Sequence, residues 1–256
     1  MNMKNNGYGS GFCAVYDKLN SDIDTKEWAQ FVEQCISKFS DIKVKSICEL
    51  ACGTASLAIE LFGRGYAITA LDLSEDMLCE AEAKSRRANA NIRFTHQDMS
   101  SFSLYSKTDM FLCLLDSVNY LESKQAVSNM LNRVYNYLND GGIFVFDVNS
   151  KYKFENIYGC NAYVLQDDGV YCGWENYYSK NTKKCHFYLS VFTQNNDGSY
   201  NRFDEVQTEY MYTQKTLVKL CEQSGFSLCG VFGGFDFEKA DENSCERLYF
   251  VIKKKK

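Results

Sequence analysis

The chain has 256 residues, 45% of them hydrophobic, enough for one large domain with an insertion and a proper core. Its 28 basic and 33 acidic residues leave a net charge of −5, the wrong sign for a protein that holds a long stretch of nucleic-acid backbone, so no structured nucleic acid is expected as a partner. No apolar run reaches about eighteen residues and the polar start MNMKNNGYGSG lacks the regions of a signal peptide, so the expectation is a cytoplasmic protein with no membrane partner.

The twelve cysteines, most of them inside apolar runs, are expected as reduced thiols. Cys48 and Cys52 have no second pair at zinc spacing, and no metal site is expected.

In chain order, Asp24 with Glu27 forms a capping pattern ahead of Trp28, Phe31, Val32, Cys35, Ile36 and Phe39, which recur at helical spacing. An apolar run at Lys45 to Leu50 reads as a strand that ends in a turn at Gly53. A helical stretch through Leu57, Ile59 and Leu61 follows and stops at Gly63 to Gly65. Tyr66 to Leu73 reads as the second strand, with a helix start at Ser74 whose first turn holds Glu75 and Asp76, where carboxylates suit the helix dipole. Ile92 to His96 and Asp109 to Leu115 read as the third and fourth strands, the latter nearly continuous in apolar residues, as a strand buried on both faces should be. Val127, Met130, Leu131, Val134 and Leu138 mark another amphipathic helix, closed by NDGG before a fifth strand at Ile143 to Val148. The alternation predicts a doubly wound α/β sheet of Rossmann-like type.

Residues 151–212 read as period-two strands joined by turns at Asp167 to Val170, Ser179 to Thr182 and Asn195 to Gly198. They predict an antiparallel β insertion, dense in aromatics such as Trp174, Tyr177 and Tyr178, which either form its core or line a pocket. Thr213 then caps a helix through Leu217, Leu220 and Cys221, and Phe226 to Phe232 and Leu248 to Ile252 return as two strands. Residues 1–150 and 213–256 are thus expected to form one α/β domain, with 151–212 inserted over its substrate site.

The turn after the first strand narrows the chemistry. A dinucleotide-binding turn needs three glycines for its backbone to approach a pyrophosphate, and here the positions hold Ala51, Gly53 and Ser56. A P-loop is excluded by the lack of Gly-Lys-Ser/Thr. A pyrophosphate beside Glu49, with no lysine or arginine close in sequence, is electrostatically poor. A ligand with a ribose, an adenine and a cationic end suits these residues better, and S-adenosylmethionine has all three and no phosphate.

The segment ELACGTASL, Glu49 to Leu57, resembles the first motif of class I S-adenosylmethionine-dependent methyltransferases, commonly E/D-x-x-x-G-x-G. Asp72 in ALDLSEDML matches the acid that ends strand two in that family and takes the ribose hydroxyls, and Asp98 in FTHQDM matches the acid at the adenine edge. YGSGFCAVYDKL, Tyr8 to Leu19, with Trp28 and with DSVNYL at Asp116 to Leu121, looks like a bacterial subfamily with a β-rich insertion after strand five. The resemblance implies a seven-stranded sheet of order 3-2-1-4-5-7-6 with the last strand antiparallel. It also implies cofactor contacts from Tyr16, Glu49, Ala51, Cys52, Gly53, Asp72, Leu73, Met77, Asp98, Met99 and Leu114. The chain departs from the motif at Ala55, where the family usually has glycine; the extra methyl is expected beside the methionine moiety.

Methyl transfer from a sulfonium needs positioning and desolvation more than a base. If a base exists, Asp116, Asn119 and Tyr120 are its first candidates and Glu205, Glu209 and His186 its second; Asp116 is equally readable as a helix cap, and His186 as a structural strand residue. The expected activity is methylation of a small-molecule acceptor. The alternatives are a protein or RNA acceptor, a non-catalytic S-adenosylmethionine-binding protein, or a nicotinamide oxidoreductase, which the missing glycines disfavour.

Overall fold

The computed structural model describes residues 9–256, so Tyr8 of the opening motif lies outside the described residues. Five strands alternate with helices in the first part of the chain: β1 (Ser46–Leu50), β2 (Ala67–Asp72), β3 (Arg93–His96), β4 (Thr108–Cys113) and β5 (Leu138–Asn149). The next four, β6 (Ala162–Asp167), β7 (Val170–Ser179), β8 (Lys184–Gln194) and β9 (Tyr200–Tyr210), form a separate antiparallel sheet in simple succession. The chain then returns with β10 (Ser227–Phe232) and β11 (Arg247–Lys253). The main sheet has the order β3-β2-β1-β4-β5-β11-β10; β1 to β5 are mutually parallel and β11 runs antiparallel to both neighbours. With the four insertion strands set aside, this is the expected 3-2-1-4-5-7-6.

Strand alternation divides the core. Ile47, Met110, Leu112, Ile143 and Val145 face α3 (Thr25–Phe39), α4 (Ser56–Gly63) and α5 (Glu75–Arg87). Cys48, Leu50, Phe111, Phe144 and Phe146 face α6 (Lys124–Tyr137) and α7 (Gln214–Gln223). The caps are local and as expected: the Asp24 carboxylate accepts from the Lys26 and Glu27 amides, the Ser74 hydroxyl from Met77, and the Thr213 hydroxyl from Thr216.

Two stretches differ from the sequence reading. Leu138 opens β5 rather than ending the helix, because it pairs with Thr108 on the neighbouring strand. Residues 153–158 are not strand but a π-helical turn (Lys153–Tyr158) that buries Phe154 and Tyr158 against the insertion. Ahead of α3, two one-turn helices, Ser10–Cys13 and Tyr16–Leu19, pack Phe12, Cys13 and Val15 onto Met77 and into the apolar face of the second sheet. The N-terminal segment thus bridges the two sheets at the carboxyl ends of β1 and β4. Among the described residues no helix is long and apolar enough to cross a membrane, no acid, cysteine or histidine cluster is placed to hold a metal, and none of the twelve cysteines forms a disulfide.

Candidate active site

The segment after β1 owes its shape to three left-handed residues at alternate positions, Ala51 (φ 52°), Gly53 (φ 53°) and Ala55 (φ 61°). Only glycine adopts this conformation without steric cost, so the two alanines store local strain. The turn is held by the Cys52 amide donating to the Leu71 carbonyl (3.0 Å) and the Gly53 amide donating to Asp72 Oδ2 (2.8 Å). Asp72 Oδ1 accepts from the Ser74 amide (2.9 Å), so one carboxylate ties the ends of β1 and β2 together. A Cβ added at Gly53 would meet no atom within 4 Å; its open side faces a cavity of about 390 Å³. Ala55 faces the other way. Its methyl is fully buried between α4 and the sheet, so the expected crowding beside a methionine moiety is not there.

This cavity brings together Tyr16, Glu49, Ala51, Cys52, Gly53 and Leu114. Glu49 is 6% exposed, and its Oε2 is buried without a hydrogen-bond partner. Burial, reinforced by nearby Asp72, pushes its carboxyl up to about 8. Asp72 is raised as well, again chiefly by burial, against the pull of its backbone hydrogen bonds. An orphaned carboxyl oxygen beside a second carboxylate favours its proton until a cation arrives to stabilise the ionised form. The donor set therefore fits the ammonium and ribose ends of S-adenosylmethionine and not a pyrophosphate.

The remaining expected cofactor residues stand outside that wall. Leu73 is 66% exposed, with its carbonyl bonded to the His96 ring (2.8 Å). Met77 is buried under the N-terminal helices. Asp98 caps the Ser100 amide (2.7 Å) just beyond β3, and Met99 packs its sulfur against Cys113 (3.8 Å).

Sequence reasoning placed no cation near the turn, but one is present. Lys84, on α5, reaches the cavity, donates to Ser56 Oγ (2.5 Å) and pairs with Asp17. Asp17 in turn accepts from Thr54 Oγ1 (2.6 Å), so the N-terminal segment is latched to the turn and the lysine's charge is taken up by that latch. Lys84 carries no sequence signal, and although Asp17 lies in the opening segment Tyr8 to Leu19, nothing in that segment announces this pairing.

A second cavity, about 600 Å³, adjoins the first; Tyr16, Trp28 and Leu115 line both. Its floor holds a buried charge network. Leu115 and Asp116, at the end of β4, are both left-handed (φ 58° and 54°), and the Asp116 carboxylate makes no cap hydrogen bond to the following 3-10 turn (Ser117–Tyr120), contrary to the helix-cap reading. Instead Asp116 Oδ1 pairs with Arg247 Nη2 (2.8 Å), while Arg247 Nη1 pairs with Asp147, which also accepts from the Asp116 amide (3.0 Å). Burial drives Asp116 up, but Arg247 more than offsets it and holds the carboxylate below its ordinary range. Glu209, beside it on β9, has no cation in ion-pair contact: burial and the Asp116 charge push it well up against the pull of Lys153, and its Oε2 accepts from Asn149 Nδ2 (2.8 Å). The pair is therefore biased toward an ionised Asp116 and a proton on Glu209.

The other candidates divide. Tyr120 lines this cavity and donates to Gln207 Oε1 (3.0 Å). Asn119 does not reach it; it is fully buried, donating to the Tyr210 carbonyl (3.0 Å) and accepting from the Asn149 amide (2.9 Å), a brace between the sheets. Phe187 and Leu189 face the cavity, so His186, between Cys185 and Phe187 on β8, turns to the opposite face, against Thr208 (2.9 Å). Glu205 is raised by burial and held by the Gly9 amide. Of the three aromatics, Trp174 lines the cavity, Tyr178 belongs to the insertion core and Tyr177 is exposed.

Known proteins resemble this arrangement. A methyltransferase-domain family model matches residues 47–142. A putative methyltransferase of Geobacillus sp. (strain WCH70) is 30% identical over 243 residues, spanning 95% of this chain and 98% of its own. The crystal structure of an S-adenosylmethionine-dependent methyltransferase from Clostridium acetobutylicum superposes with a TM-score of 0.87 at 30% identity, covering 96% of this chain and 98% of that one. Over 105 residues, 41% of this chain and 40% of its own, the chain is also 29% identical to dTDP-3-amino-3,6-dideoxy-alpha-D-glucopyranose N,N-dimethyltransferase of Streptomyces fradiae.

Proposed function

Because the chain belongs to the class I S-adenosylmethionine-dependent methyltransferases, we propose that it methylates a small-molecule acceptor held in the second cavity, with the cofactor in the first. The observation that carries the cofactor placement is the partnerless Glu49 Oε2 beside Asp72 at an open glycine turn. S-adenosylmethionine supplies, when bound, a methyl group on a sulfonium leaving group. Glu49 would take its ammonium, Asp72 the ribose hydroxyls through its free lone pairs, and Asp98 the adenine edge; Ala51, Cys52 and Gly53 offer backbone at close range. Leu73, Met77, Met99 and Leu114 supply apolar surface in this reading, either directly or as support.

Tyr16, Trp28 and Leu115 stand where the cavities meet, and there they would exclude water and align the acceptor with the methyl group. Asp116, ionised but tied to Arg247, is a weak base and a strong orienting charge. Tyr120 and Glu209 complete the polar side of the acceptor site. A small acceptor suits a partly open cavity of about 600 Å³ lined from both sheets, and the amino-sugar methyltransferase similarity points the same way. Release of S-adenosylhomocysteine from S-adenosylmethionine is the test, with protein-free metabolites, protein extract and RNA offered separately. Turnover with metabolites alone is expected; turnover confined to protein or RNA would overturn the small-molecule reading.

A further inference from the structure

Beside its charge network, the residues lining the second cavity include three donors without a hydrogen-bond acceptor. Lys153, on the π-helical turn, carries its ammonium 5.2 Å from the Tyr158 ring centroid and makes no side-chain hydrogen bond or ion pair among the described residues. Trp174 Nε1 and Gln207 Nε2 are buried without partners. The Gln207 Oε1 is already taken by Tyr120, which leaves its amide nitrogen facing onward. The three groups surround one aromatic floor: the Trp174 ring contacts Tyr158 (6.3 Å) and Phe187 (5.7 Å), and Phe187 pairs with Gln207 across β8 and β9.

No carboxylate forms an ion pair with Lys153. Asp116 and Asp147 are both engaged by Arg247, burial and the Asp116 charge push the Glu209 carboxyl well up, and Glu246 acts on the ammonium only at longer range. Asp22 and Asp167 line the cavity as well, the first exposed and the second half-exposed, where solvent screens them. Burial and Arg247 lower the Lys153 ammonium against the pull of Asp116, Glu209 and Glu246, none of which forms an ion pair with it. A ligand with an ammonium would satisfy none of the three donors, whereas one with negatively charged oxygens would satisfy all of them.

We infer that Lys153, Trp174 and Gln207 hold an oxyanion of the acceptor, a carboxylate or a phosphate, against the Tyr158–Trp174–Phe187 floor, and that the acceptor is an acidic small molecule. This rests on the second cavity being the acceptor site.

The test uses the whole chain saturated with S-adenosylhomocysteine and three probes, benzoate, phenyl phosphate and benzylamine, titrated by calorimetry. One or both anions should bind and benzylamine should not; the tighter anion tells carboxylate from phosphate. Lys153→Met should weaken that anion by about tenfold or more, the scale of a hydrogen bond to a charged group. Lys153→Arg should keep most of the affinity, and Trp174→Phe, which retains a ring without its N–H, should lose several-fold. Benzylamine binding as tightly as the anions, or Lys153→Met that still binds S-adenosylhomocysteine and holds the anion unchanged, overturns the inference. Should wild type fail to bind S-adenosylhomocysteine, the cofactor placement falls instead, and the same titrations on the chain alone decide the oxyanion site. An anion that binds without slowing methyl transfer to metabolites would overturn the acidic acceptor.

Discussion

One wall of the first cavity comes from a single short segment, residues 49–57, whose backbone is bent by left-handed residues and tied to Asp72. The floor of the second is assembled from β4, β5, β9, β11 and the π-helical turn, each contributing one or two charged or polar side chains. In the first, two carboxyl groups stand close with no cation paired to them, and burial favours a proton on Glu49. In the second, two aspartates share one arginine, and burial beside Asp116 pushes Glu209 up. A site meant for a cationic ligand can leave its carboxyl groups without a cation, because the ligand completes them; two aspartates buried before any ligand arrives need a cation of the chain's own.

The sharpest way to break this contrast is Arg247→Met. Removing the shared cation leaves Asp116 and Asp147 buried and unpaired, and urea unfolding should show a loss of about 3–5 kcal/mol. Adding Asp147→Asn should return part of it. A loss under about 1 kcal/mol would mean that the network is solvated and the contrast false.

Asp72→Ala should weaken S-adenosylmethionine binding by about 1.5–3 kcal/mol in calorimetry, the range for hydrogen bonds to a charged group. It should also lower stability by about 1 kcal/mol, since the Gly53 and Ser74 amides lose their acceptor. Unchanged affinity in a folded variant would remove Asp72 from the cofactor site.

Glu49 sharpens the comparison through pH. Its folded value near 8 lies above the ordinary 4.5, so the folded chain binds the proton more tightly than the unfolded one. Its contribution to the stability of the ligand-free chain is complete below about 4.5 and declines as pH rises toward 8. A bound ammonium favours the ionised carboxylate, so S-adenosylmethionine binding at pH 7 should release roughly one proton, seen as a buffer-dependent binding enthalpy. Glu49→Gln should abolish both effects; proton release that persists in that variant would assign it to another group.

Ala55→Gly should do least. Relief of the left-handed backbone is offset by the lost buried methyl and by glycine's freedom in the unfolded chain, leaving stability within about 1 kcal/mol of wild type. Affinity should hold, because the methyl points into the core. A large gain in affinity would show that it crowds the ligand after all.

Much of the frame was readable from local rules. Asp24, Ser74 and Thr213 cap the helices that their spacing announces, and the turns at 167–170, 179–182 and 195–198 separate the insertion strands where the glycines and polar residues put them. The π-helical turn at 153–158 was missed because it follows no regular period, and the two one-turn N-terminal helices because each is too short to repeat one.

By itself the sequence determined the sheet order through its motif resemblance, the glycine turn with its flanking acids, and the class of cofactor. These depend on neighbours along the chain, or on strand ends that the alternating fold brings to one edge. Only the tertiary structure decided that Asp116 is pulled down and Glu209 pushed up, that Lys84 is spent on Asp17 and that Lys153 has no ion-pair partner. A buried group's charge depends on which partners enclose it, and Arg247 reaches Asp116 across 131 positions of chain that no spacing rule connects.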